Sequence, residues 1–237
     1  MMAGIIAGGL GTRLSAAYGS TVKPLVPVLG VPLVHHVVAG LGSAGAKSMV
    51  LLHNSAGDEV RTYLESAFPA VIWTFIRADT PSSWASFQLV SMELASNTDR
   101  FIVSTVDALI SPQDVARFSQ SAFEPLSDGV PAGTLGLTAF VDDEKPLWAD
   151  VDDSGRVVRL GPDATDQKAV TCGLYALRRE TVRRMQGTFA HSSLREFWTA
   201  LVRSGEPVRG VLLGKAVDVD RPEDVLVAER IASCFDA

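Results

Sequence analysis

Residues 5 to 14 read Ile-Ile-Ala-Gly-Gly-Leu-Gly-Thr-Arg-Leu, an apolar run that leads directly into a glycine-rich turn. An apolar run of this length is typical of a buried strand, and the glycines after it let backbone N–H groups approach an anion closely. Oriented amides of this kind bind phosphate groups. The stretch therefore predicts a strand that ends in a phosphate-binding loop.

Two cations accompany this loop, Arg13 inside it and Lys23 at the start of Lys-Pro-Leu-Val-Pro. A guanidinium makes bidentate phosphate contacts, and a lysine supplies a compact charge to a moving phosphoryl group. A dinucleotide fingerprint would need a third glycine near Leu14, and a Walker loop would need Gly-Lys followed by Ser or Thr. We interpret the segment as a nucleoside triphosphate site formed by Ala7, Gly8, Gly9, Gly11, Thr12, Arg13 and Lys23.

These residues resemble the nucleotidyltransferase family of sugar-phosphate and related pyrophosphorylases, which carry Gly-Gly-x-Gly-Thr-Arg-Leu followed by Lys-Pro-Leu. The ten-residue step from Arg13 to Lys23 is similar to that of the sugar-nucleotide branch, whereas molybdenum-cofactor nucleotidyltransferases have a shorter one. Val22 departs from the proline usual in that branch. The resemblance extends over nearly the whole chain, strongly from Ile5 to Pro32 and weakly from Arg178 to Leu213.

Composition narrows the classes of partner. The chain has 237 residues and a formal net charge of -6 without a long basic run, so we expect no nucleic-acid surface. Hydrophobic residues make up 47%, yet no apolar segment approaches the roughly 20 residues that span a membrane. Met1 leads into the first strand without room for a signal peptide, so a cytoplasmic protein is expected. A homo-oligomer is left open.

Strand and helix signals alternate along the first half and change character in the second. The predicted segments there are the hairpin strands Trp148–Val151 and Arg156–Arg159, the strand Val170–Leu177, and helices at Arg179–Met185 and Leu194–Arg203. The pattern predicts an α/β protein with one Rossmann-like mixed sheet flanked by helices. The resemblance implies a nucleotide-diphospho-sugar transferase, GT-A-like fold. We expect one domain over 1–237, with a triphosphate-binding half at 1–120 and an acceptor-binding half at 121–237.

Two carboxylates end apolar runs. Asp107 follows the strand signal Phe101–Val106, and Asp218 lies in Ala-Val-Asp-Val-Asp before the last helix, which Asp220 is expected to cap. Hard carboxylates are natural Mg²⁺ ligands, and a helix cap or turn carboxylate is the structural alternative for each. The resemblance implies that Asp107 and Asp218 bind Mg²⁺, and that Arg13, Lys23 and Asp107 carry catalysis.

The segment before the central strand differs from the sugar-nucleotide branch, which has Gly-Thr-Ala-Gly there. This chain has Thr-Pro-Ser-Ser-Trp-Ala-Ser, which is more similar to cytidylyltransferases acting on phosphocholine, inositol phosphate or phosphonates. The resemblance therefore implies that Ser82, Ser83 and Ser86 contact the nucleotide. Trp84 could stack on a base or a quaternary ammonium group, or pack in the core.

Acceptor binding is less defined, because Pro162 stands where the family has its acceptor lysine. Lys168, Arg159 or Lys145 could replace that lysine, and Thr171 and Gly173 fall where the family has an acidic or amide residue before glycine. The resemblance implies transfer of a nucleotidyl group from a triphosphate, with CTP favoured and UTP or dTTP open, to a small phosphate monoester such as a sugar, polyol or amino-alcohol phosphate.

Two other functions stay open. A non-catalytic relative could bind nucleotide or sugar nucleotide, although it need not retain Arg13, Lys23, Asp107 and Asp218 together. A glycosyltransferase could use Asp150-Val151-Asp152 as its Asp-x-Asp motif, but this motif lies beside the predicted hairpin turn.

Overall fold

The structure is a computed structural model that describes residues 1–141, 145–185 and 191–235. The strands in these ranges are β1 (Met2–Ala7), β2 (Pro27–Val28), β3 (Val31–Pro32), β4 (Ser48–His53), β5 (Ile72–Arg77), β6 (Arg100–Thr105), β7 (Ala108–Ile110), β8 (Gly133–Thr138), β9 (Trp148–Val151), β10 (Val157–Leu160), β11 (Ala169–Arg178), β12 (Val208–Leu213) and β13 (Ala216–Asp218). The α-helices are α1 (Ser15–Tyr18), α2 (Leu33–Ser43), α3 (Asp58–Ala67), α4 (Ser83–Asn97), α5 (Pro112–Ser121), α6 (Arg179–Met185), α7 (Leu194–Arg203) and α8 (Pro222–Ala232).

A nine-stranded mixed sheet forms the centre of the fold. Its order is β10–β9–β11–β6–β1–β4–β5, with β8 paired to β11 and β12 paired to β8. Strands β6, β1, β4 and β5 run parallel, and β11 joins them antiparallel along β6. The predicted α/β class with a mixed sheet is therefore confirmed, as are the β9–β10 hairpin and helix α7.

Each face of the sheet carries its own apolar core. On one face Phe87 and Val90 of α4 pack with Trp198 of α7, and on the other Val34 and Leu41 of α2 pack with neighbouring helices. The approach of α4 is close, because a Cβ built on Gly4 of β1 would lie 2.8 Å from Leu94 Cδ1.

A third apolar cluster joins the two ends of the chain. Leu14, Val26 and Leu33, from the segment after the glycine loop, pack with Val217 and with Val225 of α8. Nearby, β13 pairs antiparallel with β7. This packing brings the region around residue 220 to the loop at residues 8–13.

Strands β8 and β12 were not predicted from the sequence. Gly133 and Gly136 weaken the strand signal of β8, yet both are required by packing. A Cβ on Gly133 would meet the Trp198 ring at 2.6 Å, and one on Gly136 would meet Cys172 Sγ at 3.1 Å. No helix in the described part of the chain is long and apolar enough to cross a bilayer.

Candidate active site

The glycine loop follows β1 at the carboxyl edge of the sheet, where parallel α/β sheets bind ligands. Asn54, which directly follows β4, donates from Nδ2 to the carbonyl oxygens of Gly8 at 3.2 Å and Gly9 at 3.3 Å. Gly11 has φ +61°, and a Cβ there would lie 2.7 Å from Lys23 Cβ. Glycine at this position therefore lets the loop close against Lys23.

Lys23 lies between carboxylates and is only 6% exposed. Its Nζ donates to Asp107 Oδ2 at 2.6 Å and also to Asp220 Oδ1. Burial alone would lower the pKa of Lys23, but the charges of Asp107, Asp220 and Asp218 outweigh it and raise that pKa above its ordinary value. The ammonium is therefore held in its charged form. Arg13 lies beside this group, with Nη1 3.4 Å from Asp220 Oδ2.

Asp107 and Asp218 meet because of the β7–β13 pairing. Asp218 stands opposite Ala108, and the backbone N–H of Val219 donates to the carbonyl oxygen of Asp107 at 3.0 Å. Oxygens of Asp107, Asp218 and Asp220 lie within 4.8 Å of one another. Burial would raise the pKa of Asp107, but Lys23 outweighs it through its charge and hydrogen bond and lowers that pKa.

The expectation that Asp220 caps the last helix is wrong. Arg221 occupies the N-cap position, and the Asp224 carboxylate accepts hydrogen bonds from the backbone N–H groups of Asp220 at 2.9 Å and Arg221 at 2.7 Å. Asp224 satisfies these donors, so the Asp220 side chain is available to face Lys23 and joins the acidic group.

The three predicted serines occupy different places at the start of α4. Ser82 caps the helix, accepting from Ala85 N at 3.2 Å. Ser86 is buried, and its Oγ would lie 3.3 Å from a Cβ on Gly8, which places this turn of α4 against the glycine loop. Ser83 lines a neighbouring cavity and accepts a hydrogen bond from Leu194 N at 3.0 Å.

That cavity, of about 230 Å³, opens beside Asp107 and Asp218. Its walls include the predicted residues Thr171 and Gly173, and also Tyr175 and Arg195, which sequence reasoning missed. Cys172 lines it too, and burial raises the pKa of this thiol to about 12. The thiol is therefore neutral near pH 7, which makes it a poor nucleophile.

Two predicted acceptor residues lie elsewhere. Trp84 is 5% exposed and stacks on Phe197 with ring centroids 4.3 Å apart. It is therefore a core residue and does not form a binding surface. Its indole fits into the apolar cluster between α4 and α7 and leaves no face for a ligand. Lys168 lines a different depression, beside Asp150 and Asp166, and not the cavity next to Asp107.

The Asp150-Val151-Asp152 motif has structural roles. Asp150 is 2% exposed and accepts from Arg159 Nε at 2.6 Å, Thr165 N at 2.8 Å and Asp166 N at 3.0 Å. Burial would raise the pKa of Asp150, but the Thr165 and Asp166 amides and Arg159 lower it. This geometry disfavours metal-assisted sugar transfer at the motif.

Comparison with known proteins identifies the class as nucleotidyltransferases, enzymes that transfer a nucleotidyl group from a triphosphate. Residues 3–144 match the MobA-like NTP transferase domain, and the chain belongs to this family. A relative in Lancefieldella rimae, 2-aminoethylphosphonate cytidylyltransferase, is 26% identical over 207 residues, which cover 84% of this chain and 78% of that protein.

Other relatives share parts of the chain or its fold. The bifunctional protein GlmU of Kineococcus radiotolerans is 32% identical over 178 residues, covering 73% of this chain and 33% of that protein. Among solved structures, the inositol-1-phosphate CTP transferase from T. maritima superposes with a TM-score of 0.81 at 20% identity, covering 98% of this chain and 94% of that one. The fold is thus that of nucleotide-diphospho-sugar transferases.

Proposed function

We propose that the protein is a Mg²⁺-dependent cytidylyltransferase that transfers CMP from CTP to a small phosphate- or phosphonate-bearing acceptor and releases pyrophosphate. The observation that carries this proposal is the convergence of Asp107, Asp218 and Asp220 within 4.8 Å, with Lys23 held against two of them. A relative named for a phosphonate acceptor and a structural neighbour named for an inositol phosphate support the choice of acceptor.

The acidic group fits Mg²⁺. Its donors are hard carboxylate oxygens, which Mg²⁺ prefers, and Asp218 is exposed on the open side of the group. Asp107 and Asp218 would hold the ion, as the family resemblance implies, and Asp220 would serve as a third carboxylate. When bound, Mg²⁺ supplies positive charge to the α-phosphate and the departing pyrophosphate.

The chain's own residues then have distinct roles. Amides of the glycine loop and the Arg13 guanidinium bind the triphosphate, and the Lys23 ammonium stabilises negative charge that grows on the α-phosphoryl oxygens. An acceptor oxygen attacks the α-phosphorus directly. The new O–P bond forms as the bond between the α-phosphorus and the bridging oxygen breaks, and pyrophosphate leaves with that oxygen and its electron pair.

The choice of CTP rests on the start of α4. Ser86 borders Gly8, where we place the base of a nucleotide bound to the loop, and Ser82 caps the same helix. Cytosine offers an amino donor that hydroxyl or carbonyl oxygens accept. UTP and dTTP are the competing substrates, since neither is larger than CTP by more than a methyl group. Purines need more room beside the buried Ser86.

Two other functions compete with cytidylyl transfer. A non-catalytic relative would bind nucleotide without turnover, but Arg13, Lys23, Asp107 and Asp218 are all retained and converge here. Sugar transfer through Asp150 is disfavoured by the hydrogen bonds that this carboxylate already accepts.

The test is pyrophosphate release with Mg²⁺, each of CTP, UTP, dTTP, ATP and GTP, and a panel of phosphonate, inositol, choline and sugar phosphate acceptors. We expect the fastest release with CTP and with one of the small acceptors, and none with EDTA. Equal turnover with ATP or GTP would contradict the base assignment. Nucleotide binding without turnover on a broad acceptor panel would favour the non-catalytic alternative.

A further inference from the structure

We propose that Arg195 and the Tyr175 hydroxyl together bind the phosphorus oxyanion of the acceptor, in the cavity beside Asp107 and Asp218. The inference rests on the proposed function, which requires an anionic acceptor, and it goes further by assigning the residues that recognise it. The acceptor class that fits is a phosphate or phosphonate on a short organic chain.

Tyr175 carries a hydroxyl that makes no hydrogen bond within the described part of the chain. Its side chain is 8% exposed, and its ring is fixed by stacking on Trp198 at 5.6 Å and by an edge contact with Phe87 at 5.6 Å. It lines the cavity, and no hydrogen bond joins its hydroxyl to any residue that the structure describes. The hydroxyl therefore faces the open cavity, where a ligand that accepts its hydrogen bond would gain a donor held in place by the packed ring.

The Tyr175 hydroxyl is a donor near pH 7. Burial raises the pKa of the phenol above its ordinary value, and Cys172, Asp107 and Asp218 raise it further, while Arg195 acts in the opposite direction. The proton therefore stays on the phenol. A phosphorus oxyanion is a strong hydrogen-bond acceptor, and it matches this donor.

Arg195 brings the charge. It is the only lysine or arginine among the described residues that line the cavity. It lies in the first turn of α7, where the helix dipole disfavours a cation and favours an anion. Its Nη1 donates to the carbonyl oxygen of Lys145, which fixes the side chain at the cavity wall. A guanidinium beside a helix N-terminus is suited to bidentate contact with a phosphate or phosphonate.

The size of the cavity limits the rest of the acceptor. Its volume of about 230 Å³ lies below the usual range for pockets that bind small molecules, about 300–1,000 Å³. Val170, Phe140 and Ala216 form apolar parts of a wall that also carries threonine and serine hydroxyls. A cavity of this size favours a compact acceptor.

The experiment measures the KM of acceptor and CTP separately in Tyr175→Phe, Arg195→Gln and Arg195→Lys. Loss of one hydrogen bond to a neutral donor should raise the acceptor KM about threefold to tenfold, and loss of the charged donor about tenfold or more, with little change in the KM for CTP. Arg195→Lys should raise the acceptor KM less than Arg195→Gln, because lysine keeps the positive charge but cannot make the bidentate contact of a guanidinium.

Matched controls exist for both residues. Arg203→Gln changes an arginine on the same helix that pairs with Asp163 at the surface, and Tyr63→Phe removes a hydroxyl that pairs with His35. Both controls should keep the acceptor KM of the wild type. Tyr175→Phe should keep the melting temperature of the wild type, because the hydroxyl makes no hydrogen bond to any residue that the structure describes.

Calorimetric titration of the full chain with methylphosphonate and methyl phosphate, in Mg²⁺ and α,β-methylene-CTP, separates this inference from the proposed function. Binding to the wild type that weakens in both cavity variants supports the inference even if no acceptor turns over, and turnover failure alone would then count against the proposed function. Unchanged acceptor KM in both variants, or wild-type binding of neither probe, would overturn the inference and leave cytidylyl transfer standing.

Discussion

Lys23→Met is the most direct perturbation of the candidate site. Methionine has nearly the length of lysine and no charge, so the substitution removes the ammonium from between Asp107 and Asp220 with little change in packing. Asp107 then loses the ammonium that it pairs with, and among the cations that the structure describes Asp220 retains only the exposed Arg13 guanidinium at 3.4 Å.

The size of the effect follows from the burial of the partners. Removing one member of a fully buried ion pair costs about 3–5 kcal/mol. The carboxylates here are partly exposed, Asp107 by 25% and Asp220 by 43%, so a loss of about 2–3 kcal/mol in the free energy of unfolding is expected. For a chain of 237 residues this corresponds to a fall in Tm of about 4 to 12 °C.

The pH dependence has a definite sign. The raised pKa of Lys23 means that its contribution is fully present below the ordinary lysine value and is lost only as pH rises through the higher folded value. The lowered pKa of Asp107 means that its contribution is present above the ordinary aspartate value and is lost as pH falls through the folded value. The difference between wild type and variant should therefore be constant from pH 7 to 9 and shrink in acid.

The assay is thermal unfolding in EDTA and in Mg²⁺, with Lys47→Met as a control at an exposed lysine. Mg²⁺ can replace the missing charge, and a ligand at 100 times its Kd adds about 2.7 kcal/mol, so Mg²⁺ should stabilise the variant more than the wild type. Turnover should fall at least about a hundredfold while the KM for nucleotide changes less. An unchanged Tm in EDTA, or equal Mg²⁺ increments in both proteins, would refute the reasoning.

Three further predictions concern neighbouring residues. Asp107→Asn and Asp218→Asn should each lower kcat at least about a hundredfold with the circular dichroism spectrum unchanged, and wild-type rates at limiting Mg²⁺ would exclude that residue as a ligand. Asp150→Asn should lower the free energy of unfolding, measured in urea at pH 7, by about 2 kcal/mol and should leave kcat unchanged. The pKa of Asp150 is lowered in the fold, so its contribution to stability is lost as pH falls through the folded value. The difference in stability between wild type and variant should therefore disappear in acid. Gly173→Ala should lower the free energy of unfolding by about 2–4 kcal/mol, because φ is +77° and the new Cβ would lie 2.8 Å from Ala108 Cβ. A variant that melts at the same temperature as the wild type would contradict this expectation.

Much of the fold could be predicted because its signals are local. Helix α7 begins at a serine cap and shows a clear apolar period, and the β9–β10 hairpin carries its turn residues in Asp-Asp-Ser-Gly. Strand β8 could not be recognised, since its glycines are explained only by the Trp198 ring and the Cys172 thiol that press on them. Those contacts come from residues more than thirty positions away.

Some residues of the candidate site could be predicted from the sequence and others could not. The glycine loop, Lys23 and Asp107 stand in motifs that can be read in sequence order. The role of Asp220 could not be predicted from the sequence. Asp220 precedes α8 and Asp224 lies in its first turn, and only the backbone geometry shows which carboxylate accepts the N–H groups there. Arg195 carries no sequence signal, since its importance comes from the cavity that α7 shares with β11.

The joining of the chain's two ends has a consequence for biosynthesis. Lys23 and Asp220 are 197 positions apart, and ribosomes add about 5–20 residues per second, so the lysine precedes its acidic partner by about 10 to 40 seconds. Once Asp107 has been added, 84 positions after Lys23, the nascent chain has the glycine loop and Asp107 but still lacks Asp218, Asp220 and the apolar cover of α8. Nascent chains that stall before residue 216 should therefore be unable to complete the acidic group, which makes full translation a condition for nucleotidyl transfer.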